Sequence, residues 1–181
     1  MEDDLILINP SKEYEKELLD YMDELKNTNS EYHGCGMLEE YLDNYDGWLR
    51  KLEEFRNLSS TGTWVKSDVF ILVRKSDKRV VGIINLRYYL NEFLYKFGGN
   101  IGYNVRPSER RKGYATYQLN KVLEFCKENN MGKVIITWDK ENIASSSTIK
   151  RCGGILENEI VDEDGVVIDK AHIIERYWIN L

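Results

Sequence analysis

Hydrophobic residues recur along this chain at two spacings, which separate helical from extended segments. Apolar positions three or four residues apart predict helices, and they occupy residues 11–25, 37–55 (with a break near Gly47), 114–128 and 145–151. Short apolar runs between turn residues predict strands, and they occupy residues 5–8, 69–73, 80–89, 101–105, 134–138, 155–161 and 166–179. The predicted order is one strand, two helices, three strands, a helix, a strand, a helix and two strands.

This order of elements predicts an α/β (α+β) fold built on one sheet. The sheet should be mostly antiparallel, with parallel pairing where the third helix crosses over between strands. Ser11 is expected to cap the first helix, and Asp164-Gly165 to form the turn between the last two strands. Because the chain has no repeat, low-complexity tract or linker, residues 1–181 are expected to form a single domain.

Composition and charge narrow the classes of partner. The chain carries 31 acidic and 25 basic residues, a formal net charge of −6, which argues against a nucleic-acid partner. Cys35, Cys126 and Cys152 have no CxxC spacing, and His33 and His172 are far apart, so no metal site is expected. An acidic N-terminus and the lack of a membrane-length apolar run predict a cytoplasmic protein with no membrane partner.

The most informative stretch runs from residue 99 to residue 115. Alternating apolar residues predict a strand that Pro107 ends, because proline cannot donate a ladder hydrogen bond. A helix then begins near Gly113, and its first N–H groups and dipole favour a bound anion. Three cations, Arg110, Arg111 and Lys112, precede that glycine. A solvated basic turn is the alternative, but the position between a strand and an amphipathic helix favours a phosphate site.

The pattern Arg110-x-x-Gly113-x-Ala115 resembles the Arg/Gln-x-x-Gly-x-Gly/Ala signature of the GNAT family of acetyl-CoA-dependent N-acetyltransferases. The order of elements is similar to the GNAT fold over nearly the whole chain. That fold implies a mixed, mostly antiparallel seven-stranded sheet flanked by about four helices. Further matches point to a bacterial subgroup of the family, and they lie at Arg87, Leu90, Asn91, Gly153, Gly154, Tyr177, Trp178 and Ile179.

The resemblance implies acetyl-CoA as co-substrate, with no metal. The pantetheine arm would pair with the backbone of the fourth strand at Tyr103, Asn104 and Val105. The pyrophosphate would lie on the N–H groups of the loop that follows. The matching positions there are Arg110, Arg111, Lys112, Gly113, Tyr114, Ala115 and Thr116. Asn142, followed by a short helix that contains Ser145, matches the element that fixes the pantetheine arm.

Both positions that usually carry catalytic groups differ from the family pattern. Asn100 stands where many members have a glutamate base; an amide is no base, although it can hold a water or a substrate hydroxyl. Ile149 stands where many members have a proton-donating tyrosine. Nearby alternatives are Ser145 and Ser146, which could donate a hydrogen bond to sulfur or simply cap the helix.

Three other residues are considered for the site because of their position in the chain. Glu92, just before the cofactor strand, could contact an amine or be a solvated loop charge. His33 lies in the loop that lines the acceptor side in this fold. Cys152 falls near the expected thioester, although direct acetyl transfer needs no cysteine nucleophile.

The resulting hypothesis is an N-acetyltransferase that moves an acetyl group directly to a primary amine of a small molecule or peptide. A second hypothesis is a catalytically weak acyl-CoA-binding or sensing protein, motivated by the changes at Asn100 and Ile149. A third assigns the Arg-Arg-Lys loop to nucleic acid, which the acidic balance disfavours. The protein is expected to be a monomer or a homodimer.

Overall fold

The computed structural model describes residues 4–58, 63–163, 165 and 171–181. Within these ranges the strands are β1 (Leu5–Ile8), β2 (Ser67–Arg74), β3 (Arg79–Arg87), β4 (Ile101–Val105), β5 (Lys133–Asp139), β6 (Ile155–Asp162) and β7 (His172–Asn180). The α-helices are α1 (Glu15–Asn27), α2 (Tyr45–Arg56), α3 (Tyr114–Glu128) and α4 (Ile143–Arg151). The predicted order of helices and strands and the α+β class are confirmed.

The strands form two antiparallel sheets rather than the single predicted sheet. One has the order β1-β2-β3-β4 and the other β5-β7-β6. Where a parallel pairing of β4 with β5 was expected, two hydrogen bonds join the sheets: Asn100 N–H donates to the Ile135 carbonyl (2.7 Å), and Ile135 N–H donates to Asn100 Oδ1 (2.9 Å). Gly99 permits this approach, because a Cβ there would lie 2.7 Å from the Ile135 oxygen.

Beyond these two hydrogen bonds, β4 and β5 do not pair in the part of the chain that the structure describes. The rings of Tyr103 on β4 and Trp138 on β5 stack instead, with centroids 5.5 Å apart. The two sheets therefore open into a cleft whose closed end is at Asn100.

Helices pack on the sheets and build two main cores. One lies between α1, α2 and the strands β2 and β3, and the other between α3, α4 and the strands β4, β5 and β7. The apolar face predicted for α3 is buried, at Leu119, Val122, Leu123 and Cys126.

Three local predictions differ from the structure or fall outside it. The second helix begins at Tyr45, where Asn44 Oδ1 accepts the Gly47 N–H, so Gly47 lies in the first turn and does not break the helix. Ser11 makes no side-chain capping bond. Asp164 and residues 166–170 lie outside the described residues, so only Gly165 of the predicted turn is described.

Candidate active site

A buried arginine anchors the loop that follows β4. Arg106 is 3% exposed and pairs with two glutamates of α1, at 2.9 Å from Glu17 and 3.1 Å from Glu24. Glu24 also accepts the Ser108 N–H at 3.2 Å. The loop is thus held at its first residues by α1, which fixes where the chain enters α3.

A second carboxylate fixes the same loop from the hairpin of β2 and β3. Glu109 is buried and lies 2.9 Å from Arg74, 3.1 Å from Arg79 and 2.7 Å from Lys112. The Lys112 ammonium is therefore paired with Glu109, so Lys112 contributes less to the phosphate site than the sequence predicts. Breaking such a buried cluster by removing one partner is costly, because uncompensated charge remains.

Because of these two carboxylates, we expect the stability of the protein to decrease in acid. Burial opposes ionisation of Glu24, but hydrogen bonds from Ser108 and Arg106 outweigh it and hold the pKa of Glu24 below the ordinary 4.5. Burial likewise opposes ionisation of Glu109, but Arg74 and Lys112 keep the pKa of that carboxyl lowered. A carboxylate with a lowered pKa in the folded state stabilises the protein above the unfolded pKa, and this stabilisation is lost as pH falls.

We expect the thermal midpoint to fall as pH drops below about 4.5, the ordinary glutamate pKa. Glu109→Gln should lower the midpoint at neutral pH by roughly 6–20 °C and flatten its acid dependence. Glu128→Gln, at an exposed glutamate without an ion pair among the described residues, serves as the control. Unfolding curves recorded across a pH series check this, and an E109Q midpoint equal to that of E128Q would contradict the assigned role.

The start of α3 has the features of an anion site. Gly113 is the N-cap residue with φ of 85°, and a Cβ on it would meet nothing within 4 Å. The Tyr117 N–H bonds to the carbonyl of Gly113, four residues earlier. The N–H groups of residues 113–116 precede this first helical hydrogen bond and have no such acceptor within the helix. The Tyr114 side chain is buried and accepts from Arg74, so only its backbone belongs to this site.

The cations of the loop differ in the partners that they contact. Arg110 reaches Ser30 Oγ at 2.9 Å and the Val105 carbonyl at 3.3 Å. Arg111 is exposed, has φ of 63°, and makes no ion pair with any described residue. Neither Arg110 nor Arg111 therefore has its charge neutralised by a carboxylate of the described residues, and Arg111 makes no side-chain hydrogen bond with them either.

A cleft of about 930 Å³ extends from this helix start along β4 to α4. It is lined by every residue predicted to bind the co-substrate except Lys112. Its walls combine helix N–H groups and the two arginines at one end with the stacked Tyr103 and Trp138 rings at the other.

The free edge of β4 exposes backbone groups to this cleft. Arg87 N–H bonds to the Asn100 carbonyl and Arg106 N–H to the Val81 carbonyl, and the intervening register is antiparallel. Alternate residues of β4 therefore bond to β3, so Asn104 turns its backbone inward, while Tyr103 and Val105 turn theirs toward the cleft. Val105 N–H is taken up by Asn104 Oδ1 at 2.9 Å.

The N-terminus of α4 closes the other side of the cleft. Asn142 lines the cleft and caps this helix, with its Oδ1 accepting the Ser145 N–H at 3.3 Å. Ser145 is buried at the cleft wall, and its carbonyl accepts from the Tyr103 hydroxyl at 3.5 Å. Burial raises the pKa of Tyr103 to about 12, so its hydroxyl stays protonated at neutral pH.

Three of the predicted catalytic candidates lie away from the cavities. Ser146 lies outside them and bonds back to the Ile143 carbonyl. Glu92 is exposed and also lies outside them. Asn100 is 6% exposed; its Oδ1 accepts from Ile135 and its Nδ2 donates to the Arg87 carbonyl, so the amide joins the sheets rather than holding a substrate.

A second, smaller cavity of about 210 Å³ lies toward the closed end of the opening between the two sheets. It shares four lining residues with the large cleft, which are Glu31, His33, Trp138 and Asp139. The strand β4 passes from one cavity to the other, since Ile101 and Gly102 line the small cavity and Tyr103 lines the large one. A molecule in each cavity would meet at the shared residues, which we call the junction.

The loop between α1 and α2 closes over the junction. A Cβ on Gly34 would lie 2.5 Å from the Gly102 carbonyl oxygen, so the two backbones are in direct contact. The neighbouring His33 has Nε2 at 2.6 Å from Glu31 Oε2, and its ring centroid is 5.0 Å from that of Trp138. His33 thus lies at the point where the cavities meet.

Sequence reasoning did not find Trp138, Asp139 or Arg87 as site residues. Trp138 and Asp139 end a buried strand, and only the opening of the two sheets brings them to the junction. His172 also lines the small cavity and has Nδ1 3.6 Å from Asp162 Oδ2.

Comparison with known proteins identifies the family. Residues 13–155 match the family model described as the acetyltransferase (GNAT) domain. The chain belongs to the GNAT acetyltransferase family. A curated relative is the uncharacterized N-acetyltransferase YnaD of Bacillus subtilis (strain 168), 30% identical over 88 residues. That match covers 48% of this chain and 49% of YnaD, about half of each.

Solved GNAT structures share the fold at low identity. The ribosomal-protein-S5-alanine acetyltransferase of Vibrio fischeri has a TM-score of 0.70 and 14% identity, over 98% of this chain and 93% of its own. The microcin C7 self-immunity acetyltransferase MccE, solved with acetyl-CoA and AMP, also has a TM-score of 0.70, with 18% identity over 99% and 93%. No helix among the described residues is both long and apolar enough to span a membrane.

Proposed function

We propose that this GNAT protein transfers the acetyl group of acetyl-CoA directly to a primary amine of a small molecule or peptide. The observation that carries the proposal is the pair of cavities that meet at Trp138 and Asp139, one with an anion-binding end. Acetyl-CoA would occupy the large cleft, and the amine would enter through the small cavity. Single-domain organisation, a cytoplasmic location and a monomeric or dimeric state stay predictions.

The large cleft suits acetyl-CoA at both ends. The N–H groups at the start of α3 and the unpaired Arg111 would hold the pyrophosphate, because a helix N-terminus attracts anions. The outward carbonyls of Tyr103 and Val105 would accept hydrogen bonds from the amide N–H groups of the pantetheine arm, and Asn142 would fix the arm from the opposite wall. The thioester then lies at the junction.

Transfer at the junction needs a neutral amine and a stabilised oxyanion. The amine nitrogen attacks the carbonyl carbon and forms the amide C–N bond. The C–S bond breaks with release of the CoA thiolate, and the proton that the amine loses passes to a base and from there to the thiolate or to solvent. The Tyr103 N–H, on the outward side of β4, is the backbone donor we assign to the developing oxyanion. The Tyr103 hydroxyl and Ser145 would donate hydrogen bonds toward the departing sulfur.

His33 is the proton acceptor we assign to the amine. It lines both cavities, and Glu31 Oε2 at 2.6 Å orients its ring. This arrangement of an imidazole held by a carboxylate is suited to general base catalysis.

The cysteines argue for direct transfer rather than an acyl-enzyme. Burial raises the pKa of the Cys152 thiol to about 11 and that of Cys126 to about 12. Both remain protonated at neutral pH, and a thiol is a poor nucleophile compared with its thiolate.

Thiol release tests this function against the sensing hypothesis. Calorimetry with acetyl-CoA comes first, because both hypotheses expect binding. A panel of primary amines is then added, and the proposal expects amine-dependent release of free CoA. Tight acetyl-CoA binding with no release across a broad panel would favour a catalytically weak sensing protein.

A further inference from the structure

We propose that the acceptor is a primary amine that also carries a carboxylate, and that Arg87 binds this carboxylate in the small cavity. The inference rests on the proposed function and specifies the class of acceptor. It starts from a half-buried guanidinium whose charge the protein leaves uncompensated.

Arg87 is the last residue of β3 and lines the small cavity. Its Nη1 donates to the carbonyls of Gly98 (3.1 Å) and Gly99 (3.2 Å). A guanidinium has five N–H donors, so the donors on Nε and Nη2 remain for another partner. Burial lowers the pKa of Arg87 to about 10.

The remaining arginines show that this is an exception in the protein. Among the described residues, every other buried or half-buried arginine pairs with a carboxylate. They are Arg56, Arg74, Arg79, Arg106 and Arg176. Arg87 has no carboxylate within ion-pair distance in the described chain, although the protein carries more acidic than basic residues. A planar guanidinium in that state matches a carboxylate, which it binds through paired N–H donors.

The charges of the small cavity are separated along its length. Glu31 and Asp139 lie at the junction, where the amine end of the acceptor would meet the thioester. Arg87 lies opposite Asn100 in the register of β3 and β4. Asn100 is two residues before Gly102, a separation of about 7 Å along an extended chain. An acceptor with an amine at one end and a carboxylate at the other fits this polarity.

Apolar side chains form much of the wall between these charges. Phe93, Leu94 and Phe97 come from the connection between β3 and β4, and Ile174 comes from β7. They favour an acceptor with an apolar portion. The cavity volume of about 210 Å³ restricts it to a small molecule or to one end of a longer one.

Binding of a carboxylate that has no amine tests the inference independently of acetyl transfer. The probes are 3-phenylpropionate and its neutral amide, 3-phenylpropionamide, measured by ligand-detected NMR on the full chain. We expect the acid to bind about 10- to 100-fold more tightly than the amide. Arg87→Gln should bring that ratio close to one, and Arg87→Lys should restore part of it.

Arg110→Gln is the matched control, because it removes an arginine from the large cleft and should leave the acid-to-amide ratio unchanged. Equal binding of acid and amide by the wild-type protein would overturn the inference. So would an R87Q protein that keeps the wild-type ratio, since Arg87 would then act only on the Gly98 and Gly99 carbonyls. Acetylation of neutral amines without preference for acids would likewise leave the proposed function intact and reject this acceptor class.

Discussion

Gly113→Leu is expected to weaken acetyl-CoA binding by at least about 100-fold while the protein stays folded. Each charge-assisted hydrogen bond from the helix start to a phosphate contributes about 1.5–3 kcal/mol, so the loss of two reaches that factor. The added side chain would project from a position where a Cβ meets no protein atom within 4 Å, at the anion-binding end of the large cleft. Calorimetric titration with acetyl-CoA measures the effect.

Backbone strain at Gly113 has to be separated from obstruction of the cleft. A φ of 85° costs a non-glycine residue about 1–2 kcal/mol, which lowers the thermal midpoint by about 2–8 °C. Gly153→Leu is the matched control, because Gly153 has φ of 89°, equally open surroundings and a place outside both cavities. It should lose similar stability yet bind acetyl-CoA normally. Equal affinities for G113L and G153L would reject the assigned pyrophosphate site.

His33→Gln is expected to lower kcat about 100-fold, within the usual range for loss of a general base. The imidazole lies at the junction and is held by Glu31, whereas a glutamine amide keeps polarity but accepts no proton. Acetyl-CoA affinity should stay within about 3-fold of the wild-type value, because the loss falls on the chemical step. Steady-state kinetics with one acetylated amine, together with calorimetry, measure both quantities.

His172→Gln provides the comparison for His33. His172 lines only the small cavity and faces Asp162 at 3.6 Å, so its loss should affect amine binding more than the chemical step. A fall in kcat for H172Q as large as that for H33Q, or an unchanged kcat for H33Q, would contradict the assignment of His33.

The residues proposed for the donor side could be named from the sequence because that side is built from local signals. A strand, a cationic loop and Gly113 follow one another without interruption, and the physics of a helix N-terminus acts on neighbouring residues. The structure aligns these same residues along one cleft. Lys112 is the exception, because its partner Glu109 is drawn into a cluster with Arg74 and Arg79 from a distant hairpin.

The acceptor side could not be predicted in the same way because it is assembled from distant segments. The loop carrying His33 reaches the junction through contact of Gly34 with Gly102, a contact that no periodicity announces. The opening of the sheets beyond Asn100 brings Trp138 beside Tyr103. Asn100 itself was considered for a catalytic role, and its buried bonds to both sheets became visible only in three dimensions.

Arg87 illustrates why position in a motif does not reveal a role. Its place after the third strand supported the family resemblance, yet the sequence does not indicate whether a carboxylate compensates its charge. Only the full set of ion pairs shows that the other buried or half-buried arginines of the described residues have carboxylate partners and that Arg87 has none.

Direct acetyl transfer across the junction is tested most plainly by following the acetyl group itself. The protein is incubated with acetyl-CoA carrying a deuterated acetyl group and an amino carboxylate, and all products are analysed by mass spectrometry. We expect the deuterated acetyl group on the amine, in equal amount with free CoA and with no label on the protein. Label retained on a cysteine, or released as acetate while the amine stays unmodified, would contradict the account.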